Sequence, residues 1–198
     1  RKIYFNGPYK EPLAVKELLL FGGTVNIDSD FDLNIIREIA INNPSSEISV
    51  GIRCNFDIQD AVLSRFGFDV NSIEFECVLS LIRKIPNIKL NGLHSHFATR
   101  DINTWPQRAI GILELVKKYF DEPPKFISLG GGIYGKMADS LKAQFETDIP
   151  AYEDYANAVA HEFKEHFKNI DKDRQPMLII EPGSALAGDA MKFASKVI

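Results

Sequence analysis

Cysteine is scarce in this chain. Cys54 and Cys77 are the only two in 198 residues, and they stand far apart with no CxxC spacing. That excludes a disulfide scaffold, and two reduced thiols point to a cytoplasmic protein. Basic charge is also short: Lys and Arg number 23 against 27 Asp and Glu, a formal net charge of −4. With no clustered positive footprint, nucleic acid is not expected as a partner. No apolar run approaches the roughly 18 residues of a membrane span, and no basic-then-apolar leader precedes the first strand-like run. A membrane partner is therefore not expected. Low-complexity tracts and Gly/Ser linkers are missing as well, so one domain over residues 1–198 is expected. No Met opens the chain, which begins at Arg1 and ends at Val197-Ile198 in a strand-like run. Both ends read as cuts from a longer protein.

What is present is a rhythm. Hydrophobic residues make up 45% of the chain, enough for a substantial core, and β-branched runs alternate with longer stretches of helical period, the pattern of βα units on a parallel sheet. Strands are predicted at 3–5, 24–27, 48–53, 88–96, 125–129 and 177–180. Pro12 opens the first helix and Gly22-Gly23 closes it. Ser29 and Asp32 have capping-box spacing for the second, whose Leu33, Ile36 and Ala40 share a stripe. Phe75, Val78, Leu79 and Ile82 mark another helix, as do Tyr152, Tyr155, Ala156, Val159 and Phe163, and less cleanly Ile110, Leu113 and Val116. Two α/β architectures fit, the eight-stranded barrel and the open doubly wound sheet.

In both, function collects at the carboxyl ends of the strands. Those ends carry Asn6-Gly7-Pro8, Asp28-Ser29, Arg53, His94-Ser95-His96, Gly130-Gly131-Gly132 and Glu181-Pro182-Gly183. Three successive glycines can turn their amides toward one anion, a phosphate cradle, or can simply make a tight strand-to-helix turn. Gly183 after the next strand adds a second glycine turn, as in the phosphate sites that barrels build after their last two strands. His94 and His96 share one face of a strand and could bind metal, stack on a cofactor or be structural. A metal would need further ligands. His161 and His166 are spaced to face apart, which leaves only Asp28 or Glu181 to complete a site, and no metal is expected. Glu181 ends an apolar run and needs a partner, either Arg53 in an ion pair or a protonated cofactor ring nitrogen. Asp28-Ser29 reads as a helix cap.

These motifs, in this order, resemble the fold-type III pyridoxal-phosphate decarboxylases, the family of diaminopimelate and ornithine decarboxylases. The resemblance rests on Phe5-Asn6-Gly7-Pro8-Tyr9-Lys10, Asn26-Ile27-Asp28-Ser29, Ser64-Arg65-Phe66-Gly67-Phe68, Gly92-Leu93-His94-Ser95-His96, Gly130–Gly132 and Glu181-Pro182-Gly183. It implies a partial TIM (β/α)8 barrel with about six of eight strands, lacking the β-domain that follows the barrel in the family. It implies pyridoxal 5'-phosphate as cofactor, an amino-acid substrate that is basic or a diamino acid, and a homodimer in the full-length form. His96 would stack on the pyridine ring and Glu181 would bond its nitrogen, making these two the catalytic residues. The cofactor-binding set would add Arg53, Thr99, Gly130, Gly131, Gly132, Gly183 and Ser184.

The departures from the family are informative. Ser184 stands where an arginine usually follows Glu-Pro-Gly, and Ala98-Thr99 replaces Gly-Ser after His96, with Thr99 keeping a hydroxyl on the phosphate side. His96-Phe97-Ala98-Thr99 is also similar to alanine racemases, but these place an arginine where Glu181 stands. The Schiff-base lysine of the family belongs upstream of Asn6-Gly7-Pro8, and Lys10 follows the wrong motif and reads as a helix-start residue. The isolated chain is therefore expected to be the inactive barrel portion of a decarboxylase, with a racemase or a non-catalytic pyridoxal-phosphate-binding protein as alternatives.

Overall fold

The computed structural model describes residues 2–60, 62, 64–145 and 148–188. The strands in the middle of the sheet are largely buried on both faces, as parallel strands covered by helices are, while the first and last are only partly covered. In chain order the elements are β1 (Tyr4–Phe5), α1 (Pro12–Leu20), β2 (Thr24–Ile27), α2 (Asp30–Asn42), β3 (Ile48–Asn55), β4 (Phe68–Asp69), α3 (Ile73–Lys84), β5 (Ile88–Phe97), α4 (Thr104–Tyr119), β6 (Phe126–Gly131), α5 (Asp139–Lys142), α6 (Tyr152–Phe167), a 3-10 turn (Lys172–Arg174), β7 (Met177–Glu181) and α7 (Gly183–Ala187). The six predicted strands are all present. The two-residue β4, paired with the end of β3, was too short to leave a pattern in the sequence.

Strand order separates the two architectures. The sheet runs β1-β2-β3-β5-β6-β7 with every pairing parallel, so each of these six strands lies beside the next, and only the short β4 stands off this path. A doubly wound sheet reverses direction at a switch point; this one never does. It is a curled half-barrel, a partial (β/α)8 barrel with helices on its outer face.

The core lies between sheet and helices. Val25, Ile27, Val50, Ile52, Ile127 and Leu129 pack from the strands against Ile36, Phe75, Leu79, Trp105, Ile112 and Val159 from the helices. Three helical expectations are corrected. In α4 the buried stripe is Ala109, Ile112, Leu113, Leu115 and Val116, and Ile110 faces outward. In α6, Tyr152 and Ala156 are exposed while Tyr155, Val159 and Phe163 are buried. At α2, Ser29 occupies the N-cap position but makes no side-chain cap bond, because its supposed box partner, Asp32, is drawn inward to Lys10. Lys10 stands at a helix start, one residue before the α1 N-cap Glu11. It is fully buried, with Nζ 2.5 Å from Asp32 Oδ2 and donating to the Gly7 carbonyl at 2.7 Å.

Candidate functional site

The parallel register brings the carboxyl ends of β1, β2, β3, β5, β6 and β7 to one rim. Arg53 lies beside His94, His94 beside Ser128, and Gly130 beside Glu181. A cleft of about 580 Å³ opens there, lined by Asn6, Gly7, Pro8, Arg53, Arg65, Phe66, His94, His96, Phe97, Ala98 and Glu181 among others. That is within the ~300–1,000 Å³ of small-molecule sites. A second cleft of similar size, around Tyr134, Lys136 and Tyr152, holds none of the predicted site residues.

Glu181 is the hub of the rim. Ser128 Oγ donates to its Oε1 at 2.8 Å and Asn6 Nδ2 donates to the same oxygen. Asn26 in turn donates to Asn6 Oδ1. His94 Nε2 lies 3.2 Å from Oε1, and His96 Nδ1 lies 3.2 Å from Oε2. Burial alone would raise the carboxyl pKa, but the contacts from His94, His96 and Ser128 outweigh it and hold Glu181 well below the usual carboxylate range. Glu181 therefore remains ionised. Burial pushes the His94 pKa down, with Glu181 offsetting only part of the effect, so His94 is neutral at pH 7. His96 has a side chain 41% exposed toward the cleft.

The Glu181–Arg53 ion pair, one of the two alternatives open for this carboxylate, does not form. Arg53 Nη1 pairs instead with Asp28 Oδ2 at 2.5 Å, and Nη2 reaches the His96 carbonyl at 3.3 Å. Asp28 is thus no helix cap. Its other oxygen accepts from the Gly67 amide at 3.1 Å, which ties the Ser64–Phe68 segment to the rim. Adjacent strand ends explain the exchange: Ile27 pairs with Ile52, so the next residues, Asp28 and Arg53, emerge side by side. Arg53 remains in the cleft wall with Phe66 stacked on its guanidinium.

The glycine turn is tightly built. A Cβ on Gly130 would fall 2.2 Å from His96 Nδ1 and 2.8 Å from Glu181 Oε2, so only glycine lets those groups meet there. Gly131 has φ +138, where its missing Cβ would strike the Phe97 carbonyl and Arg108. The Gly132 amide donates to the Phe97 carbonyl at 3.3 Å. Thr99 meets this turn through its backbone, since its carbonyl lies beside Gly132 and accepts from Arg108 at 2.8 Å. Gly183 opens α7 in open space. Ser184 belongs to that helix, but its side chain falls outside the described residues.

Sequence reasoning missed Arg108. It is fully buried beneath the glycine turn, donating to the carbonyls of Gly130 and Thr99 and to Thr104 Oγ1 and stacking on Trp105. Burial lowers its pKa to about 10, which still leaves it cationic. Its helical period placed it on the face of Ala109 and Ile112, but nothing in the sequence distinguished it from a solvated arginine. Asn6 and Asn26 were quoted within motifs and given no role; their side-chain relay to Glu181 needs β1, β2 and β7 to be placed in space.

The family model described as "Pyridoxal-dependent decarboxylase, pyridoxal binding domain" matches residues 1–188. Among curated relatives, diaminopimelate decarboxylase of Methanocaldococcus jannaschii is 26% identical, the match covering 100% of this chain and 46% of that protein. The enzyme of Aquifex aeolicus is 25% identical over 88% of the chain and 40% of its own length. The chain thus spans less than half the length of these relatives. Among solved structures, the fold matches diaminopimelate decarboxylase from M. jannaschii with a TM-score of 0.73 at 23% identity, covering 92% of this chain and 43% of that one. It also matches the biosynthetic arginine decarboxylase of Campylobacter jejuni, with a TM-score of 0.66 at 21% identity over 93% and 32%.

Proposed function

Since the chain belongs to the pyridoxal-dependent decarboxylase family through its pyridoxal-binding domain, we propose that its rim holds pyridoxal 5'-phosphate and that the whole protein decarboxylates a basic or diamino acid. The observation that carries this reading is Glu181, an ionised carboxylate fixed by Ser128, Asn6 and two imidazoles beside a glycine turn. The residues fit the cofactor: Glu181, His96, Arg53 and Phe66 line one cleft, and it is large enough for one small ligand. When bound, pyridoxal phosphate supplies an electron sink for cleavage of a bond at the amino-acid Cα.

The chain's own groups supply the setting. Glu181, whose Oε2 is free of the Asn6 and Ser128 donors, would keep a pyridine ring nitrogen protonated through a charge-assisted bond. His96 offers its half-exposed imidazole to an aromatic face. Gly130–Gly132, backed by the Arg108 cation, favour an anionic phosphate. Thr99, Gly183 and Ser184 complete the phosphate side, and Arg53, neutralised by Asp28, shapes the wall. The carboxylate at position 181 favours decarboxylation over racemisation. Two free cysteines support a reducing, cytoplasmic setting, and the family resemblance supports a homodimer.

The test pairs equilibrium dialysis of the chain against pyridoxal phosphate with a carbon dioxide release assay on the whole protein, using diamino and basic amino acids. Saturable binding, weakened about tenfold or more in Glu181→Gln through loss of a charge-assisted bond of roughly 1.5–3 kcal/mol, is expected. No saturable binding would overturn the reading. Exchange of the α-proton with carbon dioxide retained would reassign the activity to a racemase.

A further inference from the structure

His94, His96 and Glu181 present their ligand-type atoms within 4.8 Å of one another, an arrangement the cofactor reading does not need in full. An aromatic ring nitrogen asks for one carboxylate oxygen and a ring face for one imidazole. That leaves His94, 2% exposed, with no task beyond its contact with Glu181. Neither of its ring nitrogens makes an aligned hydrogen bond, and Nε2 is turned toward Glu181 Oε1 at 3.2 Å. A buried imidazole without an aligned partner carries an uncompensated desolvation cost.

We propose that these three side chains form a divalent transition-metal site of the two-histidine, one-carboxylate kind, filled when the rim is free of cofactor. His94 Nε2 lies 3.2 Å from Oε1 and His96 Nδ1 lies 3.2 Å from Oε2 of the same carboxylate, with one ligand atom of each residue within 4.8 Å of the others; an ion between them, at bonds of about 2.0–2.2 Å, draws these atoms inward. Ser128 and Asn6 already orient the carboxylate from behind, as outer-shell donors do. Arg53, the nearest cation in the cleft wall, is neutralised by Asp28 at 2.5 Å. The remaining coordination positions open into the cleft through the exposed side of His96, which gives water and the ion a path. Imidazole with carboxylate selects zinc, cobalt, nickel or copper over magnesium or calcium.

The metal site stands on these side chains alone; only its competition with pyridoxal phosphate rests on the function proposed above. The experiment titrates the purified, cofactor-free chain with ZnCl2 by calorimetry and with CoCl2 by visible absorption. One ion per chain is expected, with cobalt bands typical of nitrogen and oxygen ligands. His96→Gln, at a half-exposed position that folding tolerates, should weaken binding by about 100-fold or more, beyond the usual loss of an outer-shell partner. Glu181→Gln should do the same, whereas His161→Gln and His166→Gln on α6 should change nothing. Absence of saturable binding, or affinity retained in His96→Gln and Glu181→Gln chains with unchanged circular dichroism, would overturn the proposal. Release of the bound ion by pyridoxal phosphate supports both readings. Binding lost in the variants but indifferent to pyridoxal phosphate upholds the metal site and removes the cofactor from this rim.

Discussion

Two residues on the rim bind fewer protons folded than unfolded, and both make the protein acid-sensitive. His94, held below its ordinary 6.5 by burial and by Arg53 and His96, is protonated more readily in the unfolded chain. Stability is thus full above about pH 6.5 and falls as the pH drops below it. Glu181, held below its ordinary 4.5 despite burial, contributes stability above pH 4.5 that is lost on further acidification. The curve should fall in two legs. His166, lowered by burial and by Lys117, adds to the first with the same sign. In His94→Asn the urea midpoint should decline less between pH 7 and 5 than in the parent, while the fall below pH 4.5 persists. Parallel slopes in parent and variant would show that His94 is not the sensor.

At the scale of elements, the β1–α1 turn that forms one wall of the cleft is held by a buried charge pair rather than by apolar packing. Lys10 joins the Gly7 carbonyl to Asp32 of α2, and Asp32 accepts in turn from the Asp28 amide at the end of β2. Removing one partner strands the other charge in the core, so Lys10→Met should cost about 3–5 kcal/mol in chemical denaturation. The double change Lys10→Met with Asp32→Leu should recover most of that loss, and equal loss in both would show that shape rather than charge holds the turn. This clasp also marks the limit of what the sequence conveyed. The strands were legible because short runs such as Ile48–Arg53 carry β-branched residues at alternate positions, Ile48, Val50 and Ile52, and α3 because Phe75, Val78, Leu79 and Ile82 keep a clean period, all four buried. Glu181, His96 and the glycine turn could be picked out because they sit just past strand ends. The partners could not. Asp32 at cap spacing, Asp28 beside a serine and Arg53 near a lone glutamate each had a plausible local role, and only the order of strands around the barrel, which puts β2 beside β3 and β7 beside β6, assigns Asp28 to Arg53 and Glu181 to Ser128. Arg108 stayed hidden because its hydrogen bonds go to two carbonyls and a hydroxyl, partners that no sequence pattern announces.

At the scale of the whole molecule, a barrel strand has two neighbours, whereas β1 and β7 each have one among the described residues. The consequence is greatest at β7. Period-2 alternation turns Leu178 and Ile180 toward the helical layer, where they line an apolar groove of about 420 Å³ with Trp105, Tyr155 and Val159. Both remain 38% exposed. Half-exposed apolar side chains on such a groove invite association with other chains, and a lysine among them opposes it. Leu178→Lys should therefore reduce binding of a hydrophobic dye and raise the concentration at which the chain begins to scatter light. Because the site is half-exposed, its cost in stability should stay under about 1 kcal/mol. The rim lies at the end of the same strand, yet Glu181 takes its partners from β1, β5 and β6 rather than from the open edge. Pyridoxal phosphate and zinc binding should consequently be the same in Leu178→Lys as in the parent chain. A parallel loss of both would show that the open edge, and not the rim alone, sets the geometry around Glu181.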